Sequence, residues 1–299
     1  MIQRYGLVAL LIVLGAAWGL TQPLTKIAVR DGAGPLGLIV WQLFIGAVLM
    51  CGYLAAMGQL RRFSSVQLRF CTVIGVIGTI IPNTTSFTAA YSLPGGVMSI
   101  VIASVPMFAF PIALALGNER FSASRFLGLC VGMMGVVILA APDASLPQAV
   151  MIAVLPLALV APFFYGVEGN VVAKWGTFGL SPVEVMFGAS AVGLLIAILL
   201  AVLSGQWVSP LPPYGSVQGA LVLSSVIHAV VYTTYDWLIG RAGAVFASQV
   251  AYLVTGFGVV WSMLMLDERY SGWVWVALVF MFIGLALVEP RKRRKAPLV

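Results

Sequence analysis

Two stretches decide the fold: Ser99–Arg120, SIVIASVPMFAFPIALALGNER, and Ser248–Arg269, SQVAYLVTGFGVVWSMLMLDER. A constant spacing of 149 pairs Ser99 with Ser248, Glu119 with Glu268 and Arg120 with Arg269. It also pairs Gly135 with Gly284 in the span that follows. Self-similarity on this scale implies an internal duplication. Each stretch is an apolar run long enough to cross a bilayer, which takes about 20 residues. The chain as a whole divides into ten such runs: 6–29, 34–57, 70–91, 95–117, 124–141, 148–173, 181–204, 216–238, 243–266 and 272–289. None shows the alternation of a barrel strand, so helices are the spanning option. The expected fold is all-α and polytopic. It has ten transmembrane helices in a 5+5 inverted repeat, with halves at 1–145 and 146–299.

An odd number of spans per half turns the second half over. Inverted repeats of this kind build secondary transporters, with the site near the midplane where the halves meet. Alternating access needs such a pseudo-two-fold axis; an intramembrane enzyme does not.

Composition agrees. Hydrophobic residues make up 61% of the chain and charged residues 8%, with a mean hydropathy of +1.07. The polar intervals are too short for a soluble domain, so chemistry is confined to the membrane and its faces. Net charge is +7, and its placement is informative. With the N-terminus in the cytoplasm, that side carries Arg4, Arg61, Arg62, Arg69, Arg120, Arg125, Lys174, Arg241 and the tail Arg291–Lys295. The other side carries Lys26, Arg30 and Arg269. The positive-inside rule therefore favours cytoplasmic N- and C-termini in a cell inner (plasma) membrane. The basic tail reads as a stop-transfer signal and a contact for anionic lipid rather than a nucleic-acid patch. The first block, after Arg4, reads as a retained anchor rather than a cleaved leader. Cys51, Cys71 and Cys130 fall inside spans, with no disulfide or metal spacing.

At these residues the chain resembles the ten-helix branch of the drug/metabolite transporter superfamily, with two EamA-type halves. The resemblance rests on Trp18-Gly19 followed by Lys26, Pro106 followed by Glu119, and the echo at Glu268. Gln42 stands where such proteins often carry an Arg, and Thr255 where the family's second half has a Pro. The resemblance implies export of metabolites, amino acids or drugs, with amino-acid exporters, including aromatic ones, as the nearest group.

Helical spacing groups polar and aromatic residues into stripes. Trp18, Gln22 and Thr25 form one. Asn83, Phe87 and Tyr91 form a second, and Ser225, His228, Tyr232 and Tyr235 a third. Ser248, Tyr252, Thr255 and Ser262 form a fourth. Any one hydroxyl is readily explained by interhelical hydrogen bonding, worth ~0.6 kcal/mol per pair. Four stripes together point to a wet cavity. Phe164, Tyr165 and Glu168 follow Pro162 in the sixth span. A charge at a helix centre costs ~2.5–3.5 kcal/mol on the insertion scale, so Glu168 is a candidate for a proton, a substrate ammonium or His228. The alternative is an interfacial pair with Lys174. His228, the single histidine, is either a proton carrier or a neutral bundle residue bonded to Tyr or Asn.

The candidate substrate-binding residues are Trp18, Gln42, Asn83, Tyr91, Ser99, Phe164, Tyr165, Glu168, His228, Tyr232, Tyr252 and Thr255. Glu119 and Glu268 are candidate gating charges on opposite faces, with ordinary helix-end charge as the alternative. Pro23, Pro82, Pro106, Pro111, Pro156 and Pro162 mark hinges or common membrane-helix kinks. No Walker, HExxH, CxxC or triad-bearing GxSxG motif occurs. No catalytic residue, cofactor, metal or nucleic-acid partner is expected, and the partners are a small-molecule substrate and the bilayer. The chain reads as a monomer, with a dimer as the alternative. A multidrug efflux protein, an intramembrane enzyme and a bare channel are the competing readings.

Overall fold

Turn chemistry sets the helix ends. Ser64 and Ser181 each cap a helix, the hydroxyl accepting from the third backbone N–H while Gln67 or Glu184 reaches back to the cap. This reciprocal pair satisfies two otherwise orphaned amides. Pro35 and Pro182 open the second and seventh passes, where a missing N–H costs nothing.

The structure, a computed structural model, describes residues 2–118, 121–139, 148–209, 214–242 and 250–287. They form ten helical passes, with no strand among the described residues. In order these are Ile2–Ala28, Pro35–Ala56, a third in three parts and a fourth in two, then Ala123–Leu139, Gln148–Trp175, Pro182–Leu203, Ser216–Ala242, Val250–Leu266 and Gly272–Leu287. Seven hold a stretch long and apolar enough to span a membrane. The fifth, ninth and tenth are shorter apolar helices within the described residues. The ends of their expected spans, 140–141, 243–249 and 288–289, lie outside them.

The third pass starts at Ser65, five residues before the expected start, because the Ser64–Gln67 capping box begins the helix ahead of the apolar run. It runs as Ser65–Ile74, a π-helical turn Gly75–Ile80, then Ile81–Ala90. Pro82 follows that turn, and a π-turn there absorbs the backbone mismatch a proline introduces. The fourth pass breaks between Gly95–Ile102 and Val105–Ala115, just before Pro106. The prolines of the first and sixth passes, Pro23, Pro156 and Pro162, sit inside continuous helix.

Packing reveals the repeat. The first pass packs on the eighth and ninth, and the sixth on the third and fourth. The second packs on the eighth, and the seventh on the third. Second with seventh, fourth with ninth and fifth with tenth also pack. Exchanging each pass for the one five later maps these pairs onto one another, which is the signature of a two-fold relation between halves. The detail follows too. A β-carbon on Gly19 would stand 2.8 Å from the Gly258 nitrogen, and one on Gly166 would stand 2.9 Å from the Ala109 nitrogen. Gly258 and Ala109 are themselves 149 residues apart. Small residues let the helix backbones touch where no hydrophobic drive exists inside lipid.

End-to-end contacts fix the senses of the passes. Gly95, starting the fourth pass, donates to Glu268 beyond the end of the ninth at 2.8 Å. Lys26 and Ala90, ending the first and third passes, meet at that same face. At the other face Arg61 pairs with Glu184 at 2.5 Å, Lys174 Nζ donates to Leu116 O and Ser124 Oγ to Leu287 O. The fourth pass begins where the ninth ends, so the second half is inverted relative to the first.

Candidate functional site

Five passes, three from one half and two from the other, bring a polar and aromatic cluster together. Asn83 is 8% exposed, donates through Nδ2 to Gln42 Oε1 at 2.7 Å and accepts from Tyr165 OH at 3.1 Å. One turn along the sixth pass, Glu168 accepts from Tyr232 OH at 3.4 Å. Tyr232 stacks on His228 with ring centroids 6.0 Å apart. Trp18 meets His228 edge-on at 6.2 Å and Tyr235 at 5.6 Å. The path runs from Gln42 to Trp18 across the seam between the halves.

Local sequence places each group. Tyr165 and Glu168 are three residues apart, and so share a face of the sixth helix. His228, Tyr232 and Tyr235 do the same on the eighth. The π-turn of the third pass brings the α-carbon of Gly78 against Glu168, whose Oε1 would lie 2.4 Å from any β-carbon there. π-Turns inside helices occur often at functional sites.

Other expected residues sit elsewhere. Ser99 and Thr255 are fully buried where the fourth and ninth passes meet, and Thr255 Oγ1 donates to Ser99 O at 3.3 Å. Phe164 packs edge-on against Phe163. Tyr91 lies at the face shared by Lys26 and Glu268, its hydroxyl donating to Ala33 O. Glu119 and the side chain of Tyr252 lie outside the described residues.

Glu268 takes on a capping role beyond what its sequence position conveys. Oε1 accepts from the Gly95 amide at 2.8 Å and Oε2 from Gly96 at 3.2 Å. The Tyr270 hydroxyl also donates to Oε2. A carboxylate at a helix N-terminus meets orphan amides and the positive end of the helix dipole. Burial, reinforced by this carboxylate, raises the Tyr270 phenol above its ordinary value. Nearby, Lys26, Val29, Arg30, Tyr91, Leu266 and Glu268 line a cavity of about 300 Å³. At the opposite face, the hydrogen bond from Arg61 to Glu184 raises the guanidinium above its usual range.

Gly78, Tyr270, the Gly95-Gly96 pair and the cavity cations Lys26 and Arg30 escape a reading by stripes. Apart from the Tyr270–Glu268 contact their partners are distant in sequence, and their own positions are glycine, loop or helix end. The Arg61–Glu184 pair carried half a signal, because Ser181 and Glu184 spell a capping box.

The comparisons with known proteins fit this architecture. Residues 6–141 and 152–289 match the EamA-like transporter family, one copy in each half. No curated protein matches the sequence. A solved structure described only as the crystal structure of a protein superposes with a TM-score of 0.61 at 19% identity, covering 93% of this chain and 96% of that one, and so shares its fold. With both halves matched over almost their whole length, the chain belongs to the EamA-like transporter family, and is a multi-pass membrane transporter of small molecules.

Proposed function

We propose that the protein is a secondary transporter that exports small amphipathic metabolites, amino acids first, across the inner membrane. The halves 1–145 and 146–299 rock about the seam, with both termini in the cytoplasm. The observation that carries this reading is the partly buried cluster Gln42–Asn83–Tyr165 beside Glu168–Tyr232–His228 at the seam. A carboxylate next to aromatic faces suits a substrate ammonium. Asn83 and Gln42 offer amide donors and acceptors to a polar end. Trp18, Tyr165 and Tyr232 offer flat apolar walls.

The same carboxylate and rings also fit a lipophilic cation, so efflux of cationic compounds is the second reading. Proteoliposomes tested with labelled amino acids, nucleotide sugars and cationic dyes decide between them. Amino-acid flux that falls about tenfold or more in Glu168→Gln supports the first. Flux of dyes alone supports the second, and turnover of a lipid or peptide without flux overturns both. A flux independent of pH in the wild type removes a proton from the cycle.

A further inference from the structure

The cavity at the face shared by the first, third and ninth passes is chemically unlike the seam cluster. Its charged lining is two cations, Lys26 and Arg30, and one carboxylate, Glu268. Glu268 is already committed to the Gly95 and Gly96 amides and to Tyr270. Its charge acts on Lys26, but the two side chains form no ion pair within 4 Å. Lys26 Nζ donates to Ala90 O at 2.6 Å and Tyr91 O at 3.1 Å, which leaves one of its three N–H groups for the cavity. Arg30 stands exposed in the turn after the first pass, where its guanidinium fork can reach a carboxylate. The remaining walls are apolar: Val29, Leu266 and the ring of Tyr91, which is tethered through its hydroxyl to Ala33 O. Asp31 and Asp267 flank the cavity in sequence without lining it.

We infer that this cavity is a carboxylate subsite: Arg30 and the spare N–H of Lys26 hold the carboxylate of a small amphipathic acid, and Tyr91, Val29 and Leu266 hold its apolar part. It deepens the amino-acid reading by giving the carboxylate a second station, which the substrate occupies after it leaves the seam, since its ammonium and carboxylate share one carbon. The ammonium belongs to Glu168 at the seam, and the carboxylate has its own station at the face to which the substrate is released. The volume suits one such molecule, being at the small end of ligand cavities.

The test uses the full chain in phosphatidylcholine nanodiscs and measures binding of labelled 3-phenylpropionate against the neutral 3-phenylpropanol. The acid has no ammonium, so it reports this subsite rather than the seam. The expected result is binding of the acid and not the alcohol. Arg30→Gln weakens it about tenfold or more, Arg30→Lys restores part of it, and Glu168→Gln leaves it unchanged. Equal binding of acid and alcohol, or no effect of Arg30→Gln, overturns the subsite and leaves the seam reading standing. Loss of acid binding in Glu168→Gln also overturns it, by moving the acid to the seam. Displacement of the acid by phosphatidylglycerol in the disc, with no discrimination between acid and alcohol, would assign the cations to a lipid phosphate and overturn it too. An acid site that survives while amino-acid flux is absent would sink the amino-acid reading alone.

Discussion

The Glu168 carboxylate lies against the α-carbon of Gly78, with Oε1 only 2.4 Å from where a β-carbon would sit. Glycine in the π-turn therefore sets how deep the carboxylate rests between the third and sixth passes. The atom in conflict is the far end of a flexible side chain, so the backbone need not move. Gly78→Ala is expected to change stability by less than ~1 kcal/mol yet turn Glu168 away from Tyr232. Flux should drop about tenfold, close to that of Glu168→Gln. A thermal scan beside proteoliposome flux checks both, and full activity in Gly78→Ala would sink the role of that contact.

Gly284 gives the opposite outcome. A β-carbon there would meet the Gly132 nitrogen at 2.5 Å and the Gly128 carbonyl at 2.6 Å, both backbone. The fifth and tenth passes would have to separate. Gly284→Ala is expected to cost ~1–3 kcal/mol and lower the midpoint of detergent thermal unfolding. An unchanged midpoint would refute the close packing of these two helices.

Tyr270 lies outside the spans and donates to Glu268. Its phenol is raised above an ordinary value of 10.0, first by burial and then by that carboxylate. The folded state thus holds the phenol proton more tightly than the unfolded one. Its stabilising contribution is complete below pH 10 and is lost as pH climbs above that value. Wild-type unfolding midpoints should fall more steeply above pH 10 than those of Tyr270→Phe, which should start lower at pH 8. Parallel curves would contradict the bond.

Membrane sidedness is open to labelling. In a background lacking Cys51, Cys71 and Cys130, single cysteines at Arg62 and Phe178 should react only from the cytoplasmic side. Cysteines at Asp31 and Asp267 should react only from the outside. All four positions are exposed. Reversed labelling of all four would overturn the orientation, and Arg62 agreeing with Asp267 would dismantle the inversion.

Much of the fold was legible because its cause is local. A run of about 20 apolar residues has one way to satisfy its backbone in lipid, whatever surrounds it. The duplication was legible in Glu119 and Glu268, and oddness of five gave the inversion. The π-turn in the third pass was not legible. GVIGTI has no local signature separating it from ordinary helix, and its register answers to the Glu168 and Pro82 neighbourhoods.

The site divides along the same line. Stripes of Asn83, His228 and Tyr232 follow from helical period, so the order of residues alone carries their shared helical faces, the number of passes and the inversion of one half. Which faces meet is a property of the packed bundle. It joined Gln42 to Asn83 and Tyr165, sent Ser99 and Thr255 into the interface of the fourth and ninth passes, and turned Glu268 into the cap of Gly95 and Gly96. The reason is physical. Helical period is a property of consecutive residues, whereas a contact between passes depends on crossing positions fixed by glycines on both partners, as where Gly19 meets Gly258.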